Sequence, residues 1–260
     1  MKYGFCNLGI VPVRKESSER AEMVTQLLFG DAFSVLNEDN DRYFIENFDD
    51  NYNGWVDKKQ VIELNVDEFN AYCRESKQIV KENIAYVFQT NIITKEKIIY
   101  PIYFGSQAVS QKFQLGNILF EIAQNSLTKN LNTTAIHLMS TAIKYLSTPY
   151  LWGGKSLFGI DCSGFSQMCY KQIGVHLLRD ASEQATQGED IPNIFSAQKG
   201  DLCFFSNQEG KIIHVGIYMG EEKIIHSSGQ VRIDKIDDKG IFRIDTQTYS
   251  HFLCKINRYL

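Results

Sequence analysis

The hydrophobic pattern of the first half of the chain consists of short alternating runs. Stretches such as "DRYFIENF" and "NYNGWV" alternate apolar with polar positions, and Asn, Asp and Gly residues separate them. This spacing is typical of short strands in small barrels. The same pattern continues in "NIAYVFQTNIITKEKIIYPIYF", where Lys95 and Glu96 mark the tip of a hairpin. It predicts two small all-β modules, over residues 1–66 and 67–129.

The pattern changes in the second half of the chain. Apolar residues recur at helical spacing from Ala135 to Leu146, behind candidate N-cap residues at 132–134. A second helix is predicted from Cys162 to about Ile173, ended by Gly174. Strand-like runs follow these helices. Residues 130–260 therefore predict one α+β domain, with helices first and an antiparallel sheet after them.

Composition and charge narrow the class of protein. Hydrophobic residues make up 43% and charged residues 22% of the chain, as in ordinary folded proteins. The formal net charge is −4, and no run of Lys and Arg suits a phosphate backbone, so we expect no nucleic acid partner. No apolar segment approaches the roughly 20 residues that span a bilayer, so we expect no membrane association.

The start of the chain carries an expectation about location. The first residues, "MKYGFCNLGIVPVRKE", lack the uninterrupted apolar core of a secretory signal. We therefore expect a cytoplasmic protein. A periplasmic or secreted protein is the alternative if a leader precedes Met1.

The cysteines are scattered along the chain. None forms a CxxC pair or lies within metal-finger spacing of a histidine, so structural zinc is not expected. In a chain of this length without a signal, we expect reduced thiols, which permit a catalytic cysteine. The six cysteines are Cys6, Cys73, Cys162, Cys169, Cys203 and Cys254.

One of them, Cys162, lies where a loop becomes a helix in "YLWGGKSLFGIDCSGF". The first N–H groups of a helix are unpaired and its dipole is positive there, which stabilises a thiolate. Asp161 is placed to cap the helix, and Ser163 and Gly164 keep its first turn small. This position predicts an exposed cysteine with a lowered thiol pKa.

A cysteine nucleophile needs a base, and two histidines share a predicted hairpin in "IIHVGIYMGEEKIIHSSG". A three-residue loop over Met219–Glu221 would pair Tyr218 with Glu222 and set His214 opposite His226. Cross-strand partners have Cβ atoms about 4.5–5.5 Å apart, close enough for one ring to orient the other. A loop one residue shorter or longer would place the rings on opposite faces.

Each of these residues alone also has an ordinary interpretation. A single cysteine beside an aspartate is usually a packed or surface thiol, and a single histidine usually ends a strand. We keep that interpretation for His137, His176 and His251. The joint occurrence of a helix-start cysteine and a histidine hairpin favours nucleophilic catalysis.

Six motifs occur in a fixed order: "PYLWGG", "DCSGF", "RDASEQ", "GDLCFF", "HVGIYMG" and "IIHSSG". They resemble the NlpC/p60 family of papain-like cysteine peptidases, which cut bacterial cell-wall peptides, over residues 130–260. The resemblance implies a papain-like α+β fold with Cys162 as nucleophile, His214 as base and His226 as the residue that orients the base. It implies that Tyr150 and the Cys162 N–H stabilise the oxyanion. We expect neither a metal nor an organic cofactor.

The first half resembles the bacterial SH3-like modules that precede this catalytic domain in γ-D-glutamyl-L-diamino acid endopeptidases. The resemblance implies that the first module helps to bind the free amine of an N-terminal L-Ala. Glu22 and Tyr52 are the candidates for this contact. Asp161, Ser163 and Asp180 match positions of the catalytic domain that line the substrate site.

The expected function is hydrolysis of the bond between γ-D-Glu and the diamino acid in released murein peptides, as part of cell-wall recycling. We expect a monomer with the murein peptide as its binding partner. One alternative is a secreted hydrolase that acts on the intact wall. Another is a non-catalytic protein that binds wall peptides.

Overall fold

Two units make up the computed structural model, which describes residues 1–129 and 132–260. Unit 1 begins at Met1, unit 2 ends at Leu260, and the division falls between residues 130 and 131. The predicted start of the last domain, residue 130, lies outside the described residues.

Unit 1 is rich in β-structure and also contains a helix, α1 (Val66–Arg74). Its strands form sheets in the orders β3-β2-β6-β5-β4-β1-β7, β10-β9-β13-β12 and β11-β8-β14. The strands are β1 (Lys2–Phe5), β2 (Ile10–Arg14), β3 (Met23–Leu28), β4 (Ala32–Asp39), β5 (Arg42–Asn47), β6 (Asn53–Asp57), β7 (Ile62–Leu64), β8 (Gln78–Val80), β9 (Ile84–Asn91), β10 (Lys97–Tyr103), β11 (Gln107–Ala108), β12 (Lys112–Leu115), β13 (Ile118–Ile122) and β14 (Leu127–Thr128).

Unit 1 contains one hairpin that the sequence predicted and one helix that it did not. The hairpin of β9 and β10 is confirmed, with Lys95 in a left-handed conformation (φ 64°) at its tip. Helix α1 was not predicted. The signal for it was a capping box, in which the Asn65 side chain accepts from the N–H groups of Asp67 and Glu68, at 2.9 Å each.

The core of unit 1 draws on both predicted modules. Phe5 and Phe29, from the first, pack edge to face with their ring centroids 5.5 Å apart. Phe120, from the second, lies 5.6 Å from Phe5 and 5.7 Å from Phe29. One apolar cluster therefore joins the modules within unit 1, and their boundary at residues 66 and 67 stays a prediction.

Unit 2 places its first helices before most of its strands, as predicted. Its helices are α2 (Ala135–Lys144), α3 (Cys162–Lys171) and α4 (Ala181–Gln184). Its strands are β15 (Lys155–Ser156), β16 (Gly159–Ile160), β17 (Glu189–Asp190), β18 (Leu202–Ser206), β19 (Ile212–Gly220), β20 (Lys223–Ser228), β21 (Gln230–Ile236), β22 (Gly240–Arg243) and β23 (Thr248–Arg258).

The predicted antiparallel sheet of unit 2 is confirmed, and it also closes on itself. Its order is β17-β23-β18-β19-β20-β21-β22, and β22 pairs back to β23. The long strand β23 makes this closure because its first half pairs with β22 and its second half with β18. Register shifts in both pairings let the strand bend around the ring. Strands β18 to β23 thus form a six-stranded barrel.

Both predicted helices before the sheet are confirmed. Thr134 caps α2 by accepting from the N–H of His137 at 3.3 Å. Helix α3 ends at Lys171, and Gly174 follows in a left-handed conformation (φ 81°). Every residue of α3 is buried, and the helix packs on β19 and β20. This packing fixes its first residue, Cys162, beside the barrel.

None of the helices in the described residues is long and apolar enough to cross a membrane.

Candidate active site

Cys162 is the first residue of α3, as predicted, and Asp161 is its N-cap. The Asp161 carboxylate accepts from the Gly164 N–H at 2.6 Å and from the Gly153 N–H at 2.8 Å. Gly164 allows the helix to approach the preceding loop, because a Cβ there would lie 2.3 Å from the Gly154 oxygen. Asp161 therefore joins the helix start to the loop in front of it.

A buried arginine that the sequence analysis missed lies behind this helix start. Arg179 is 1% exposed. Its guanidinium meets both carboxylate oxygens of Asp161, at 2.6 and 3.1 Å, and donates to Ser163 Oγ at 2.9 Å. The signal for it was the arginine that directly precedes Asp180 in "RDASEQ". Asp161 and Ser163, both predicted substrate contacts, are thus held by one cation.

Asp180 lies next to this network, at the start of α4. It is half-buried, and its N–H donates to the Glu183 carboxylate at 3.1 Å. Helix α4 was not predicted, although Asp180 and Glu183 have the spacing of a capping box. In the same helix, Gln184 donates to the Ser163 carbonyl at 3.0 Å and so holds α4 against α3.

The Cys162 thiol is 8% exposed. Burial raises the pKa of Cys162 to about 12, and the Asp161 carboxylate adds to the rise. Hydrogen bonds from the backbone of Val215 and Ser163 act in the opposite direction and are outweighed. The predictions of an exposed cysteine and a lowered thiol pKa are therefore wrong. The bond from Val215 places the thiol beside the residue that follows His214.

Tyr150 lies close to the same sulfur atom. Its N–H donates to the Gly229 carbonyl at 2.9 Å, which ties the loop of Tyr150 to the turn between β20 and β21. Burial raises the pKa of Tyr150 above its usual value of 10.0, and the nearby Cys162 raises it further. The phenol therefore stays protonated at neutral pH and can donate a hydrogen bond.

The two hairpin histidines come together, but not in the predicted register. Gly216, not His214, lies opposite His226. His214 is displaced from the predicted pairing by two positions and stays on the same face of the sheet, because side chains alternate along a strand. Its Nε2 lies 2.8 Å from Nδ1 of His226, so the rings meet diagonally.

The turn explains the change of register. The residues at its tip are Glu221 and Glu222, both left-handed, with φ of 53° and 56°. A two-residue turn of this kind matches the twist of the two strands. This turn alone would displace the pairing by three positions, and a bulge between Tyr218 and Gly220 takes one position back, which leaves a net displacement of two. The predicted three-residue loop, Met219–Glu221, is therefore wrong.

Gly216 makes the diagonal contact possible. A Cβ on this residue would lie 2.8 Å from an Ile224 side-chain carbon and 2.9 Å from the His226 Cβ. Real Cβ atoms essentially never approach so closely. The absence of a side chain therefore leaves the space in which His214 and His226 meet.

Burial sets the protonation of both rings. Their exposed fractions are 5% for His214 and 1% for His226. Burial lowers the pKa of His214 well below its usual value of 6.5, and the neighbouring His226 and His251 lower it further. Burial also lowers the pKa of His226, which a hydrogen bond to Asp234 opposes. Both rings are neutral near pH 7, so His214 is ready to accept a proton.

His251, for which the sequence analysis kept a structural interpretation, belongs to this cluster. Its ring stacks on that of His214, with centroids 4.1 Å apart and planes 22° apart. Burial lowers the pKa of His251 to about 4, so the ring is neutral near pH 7. It lies on β23, which the barrel brings beside β18, and no local motif marks it.

The remaining predicted contacts, Glu22 and Tyr52, lie in unit 1. The Glu22 side chain is 41% exposed and pairs with Lys15 at 3.3 Å. Tyr52 is half-buried, and its N–H donates to the Asp50 carboxylate at 3.2 Å. Their role in binding an amine stays a prediction.

The six cysteines form no disulfide among the described residues. Among residues 1–129 and 132–260, no group of three or more His, Cys, Asp or Glu side chains is arranged to hold a metal ion.

Comparison with known proteins gives the class to which this fold and site belong. Residues 147–249 match the NlpC/P60 family, and residues 13–61 match the bacterial dipeptidyl-peptidase SH3 domain. The chain belongs to the NlpC/P60 family. The resemblance and the α+β fold class predicted from the sequence are confirmed.

Named relatives narrow the comparison. The chain is similar to the γ-D-glutamyl-L-lysine dipeptidyl-peptidase of Bacillus subtilis, at 46% identity over 36% of this chain and 32% of that protein. This match spans about a third of the relative's length. The chain is also similar to dipeptidyl-peptidase 6 of Lysinibacillus sphaericus, at 27% identity over 90% of this chain and 92% of that protein.

One solved structure supports the fold over almost the whole chain. A crystal structure of an NlpC/P60 family protein from Bacillus cereus has a TM-score of 0.80 with this chain and 21% sequence identity. The match covers 99% of both chains.

Proposed function

We propose that this protein is a cysteine endopeptidase that hydrolyses the bond between γ-D-Glu and the diamino acid of murein peptides with a free N-terminal L-Ala. The observation that carries the proposal is the placement of the Cys162 thiol beside the strand of His214, whose ring is oriented by His226. The name of the relative from Bacillus subtilis, a γ-D-glutamyl-L-lysine dipeptidyl-peptidase, supports the bond. The name of the relative from Lysinibacillus sphaericus, dipeptidyl-peptidase 6, supports the release of a dipeptide.

The first half of the reaction forms an acyl-enzyme. Because Cys162 is protonated at rest, its sulfur attacks the γ-glutamyl carbonyl carbon while its proton passes to His214. The negative charge that develops on the carbonyl oxygen is stabilised by the Cys162 N–H and the Tyr150 hydroxyl. When the C–N bond breaks, His214 returns the proton to the amine of the leaving diamino acid.

The second half releases the dipeptide. His214, neutral again, takes a proton from a water molecule that attacks the thioester carbon. The C–S bond breaks, the sulfur recovers a proton from His214, and L-Ala-γ-D-Glu leaves as the free acid. This cycle needs neither a metal nor an organic cofactor.

In this proposal, residues of unit 1 recognise the free N-terminal amine of the substrate. Residues 13–61 match an SH3 domain of bacterial dipeptidyl-peptidases, which supports a role in reading the substrate's N-terminus. Glu22 and Tyr52 are the proposed contacts for the ammonium group. A protein that requires this group would act on peptides already released from the wall, which fits recycling.

Mass spectrometry of the products from two free peptides, their N-terminally acylated forms and intact peptidoglycan tests the proposal. We expect L-Ala-γ-D-Glu to be released from L-Ala-γ-D-Glu-L-lysine and from its diaminopimelate counterpart, but not from the same peptides acylated at the N-terminus. Intact peptidoglycan is the fifth substrate. Equal cleavage of the acylated peptides, or cleavage of intact wall alone, would contradict the free-amine requirement. If none of these substrates is cleaved, the proposal that the protein is a murein peptidase is contradicted.

A further inference from the structure

Three polar side chains lie on one diagonal across strands β19, β20 and β21. Strand pairing sets Gly216 and Arg232 opposite His226. His214 lies two residues before Gly216, and Asp234 lies two residues after Arg232. Residues two apart on a strand share a face, so His214, His226 and Asp234 follow one another on the same side of the sheet.

Hydrogen bonds connect the three side chains in order. Nε2 of His226 lies 3.0 Å from a carboxylate oxygen of Asp234, and its Nδ1 lies 2.8 Å from Nε2 of His214. Asp234 is 5% exposed, so it is buried like the two histidines. An ionised carboxylate can only accept hydrogen bonds, which gives the chain of contacts a direction.

The direction fixes every proton in the line. Nε2 of His226 must carry a proton to donate to Asp234, so in the neutral ring Nδ1 has none and accepts. His214 must then carry its own proton on Nε2 and donate it to His226. The nitrogen of His214 that remains free to accept a proton from the thiol is Nδ1.

We infer that Asp234 is a positioning residue, which acts through His226 to fix the tautomer of His214 and to stabilise the imidazolium that His214 becomes during the reaction. The inference rests on the proposed peptidase function, because it assigns a role within that reaction. Neither the six motifs nor the histidine hairpin includes Asp234.

Two features keep the Asp234 carboxylate ionised. Arg232 donates from Nη2 to the other carboxylate oxygen at 2.8 Å. Burial raises the pKa of Asp234, but hydrogen bonds from His226 and Arg232 outweigh it, so the pKa lies below its usual value. Arg232 also pairs with Asp245, through the same Nη2 atom, at 3.4 Å.

The groups around His226 decide the sign of a pH experiment. The titratable and charged side chains that act on it are His214, His251, Asp234, Arg232 and Arg243. Asp234 is the anion among these five. Without its charge, the two arginines act on neutral histidines alone, so protonation of the histidine pair becomes harder and its pKa falls further.

The test is the Asp234→Asn variant, assayed on the free murein tripeptide over a range of pH. We expect kcat to fall about 10- to 100-fold and KM to change less than about threefold, because the lost interaction strengthens in the transition state. We also expect the acid limb of the kcat/KM profile to move to lower pH. A purely structural role predicts the opposite shift, because loosening would admit water and return the histidine pKa toward 6.5.

Asp245→Asn is the matched control. It removes a carboxylate that pairs with Arg232 and Arg243 and makes no hydrogen bond to His226. We therefore expect kcat to stay within about twofold of the wild type and the acid limb to move less than in Asp234→Asn. Thermal unfolding of both variants shows whether the fold is retained. An Asp234→Asn enzyme with wild-type kcat, or with an acid limb displaced toward pH 6.5, would overturn the inference.

A spectroscopic measurement keeps the inference separate from the proposed activity. In Cys162→Ala protein, the ¹⁵N shifts of His226 should report a protonated Nε2 and an unprotonated Nδ1. Adding Asp234→Asn should change the ratio of the Nε2-protonated to the Nδ1-protonated tautomer. If the wild type cleaves no murein peptide, the proposed function fails while this readout still tests the tautomer. If His226 keeps the same ratio without the carboxylate, the inference fails whatever the activity.

Discussion

The proposed catalytic residues of unit 2 and the proposed amine contacts of unit 1 are held in opposite ways. His214 and His226 are almost completely buried, and the hydrogen bond between their rings and a second one from His226 to Asp234 restrict them. The Glu22 side chain is 41% exposed, and its partner, Lys15, is also a surface residue. One site is built from the interior of a barrel and the other from a surface.

Burial decides how strongly each kind of residue acts. In a buried site an electrostatic interaction is strong, and the loss of one group leaves another uncompensated. At an exposed site, water and salt screen the same charges, so an interaction between two of them contributes about 0.2–1 kcal/mol. Substitutions in unit 2 should therefore change chemistry, and those at Glu22 should change binding modestly.

The largest effect is expected from Cys162→Ala. Removing the nucleophile should lower kcat at least about 10³-fold, because His214 and the oxyanion donors cannot replace it. The measurement is product formation from the free murein tripeptide. Cys254→Ala, which removes a thiol from β23, is the matched control and should retain activity; equal losses in both variants would contradict the assignment.

Tyr150→Phe should have the next largest effect. Loss of one oxyanion donor lowers kcat about 10²-fold, with a smaller change in KM, because the hydrogen bond forms mainly in the transition state. Steady-state kinetics on the same peptide measures both constants. Tyr86→Phe, on an exposed ring of unit 1, should be neutral. A Tyr150→Phe enzyme with unchanged kcat would leave the Cys162 N–H as the donor that matters.

Glu22→Gln should have a smaller effect, limited to KM. The loss of one exposed charge should raise KM about two- to fivefold for the free peptide, while kcat stays constant. Added salt should reduce the difference between variant and wild type. Glu16→Gln, a nearby exposed carboxylate, is the control. A fall in kcat without a change in KM would place Glu22 outside amine binding.

The smallest effect is expected from mild acid. Because the pKa of His214 lies well below 6.5, the ring stays neutral and kcat/KM should change less than about twofold between pH 6.5 and 5.5. Stability should respond in the same range. Near pH 6.5 the histidines of the unfolded chain bind protons, whereas the buried histidines of the folded protein stay neutral. The thermal midpoint should therefore fall as the pH drops below 6.5. A kcat/KM that halved near pH 6.5 would contradict the lowered pKa.

Much of the fold could be predicted because its signals are local. The spacing of apolar residues gave helix α2, and Gly174 marked the region where α3 ends. The motif around Cys162 gave the start of α3. Each of these features depends on neighbours within a few residues, which the pattern of the chain displays directly.

The histidine register could be predicted only in part. The sequence placed His214 and His226 on one face, but two left-handed glutamates form the turn, and glutamate carries no strong signal for that conformation. The predicted pairing differs from the observed one by two residues, an even number, so both histidines still lie on the same face of the sheet. An odd error would have separated the rings.

The electrostatics of the site could not be predicted, because they depend on burial. The helix start suggested a lowered thiol pKa at Cys162, and burial reverses that result. His251 and Arg179 come from distant parts of the chain, and tertiary packing brings each to the site. Asp234 lies only eight residues after His226, yet its role depends on a diagonal across two paired strands.

Gly216 links the packing of the barrel to the proposed activity at a single position. Its neighbour across the strand pair is His226, and a methyl group there would have to displace either that residue's Cβ or the Ile224 side chain. The added carbon would press on a buried core residue and on one member of the histidine pair at the same time. Stability and the proposed catalysis therefore depend on the same missing carbon atom, so a mutation to alanine at this position would act on both at once.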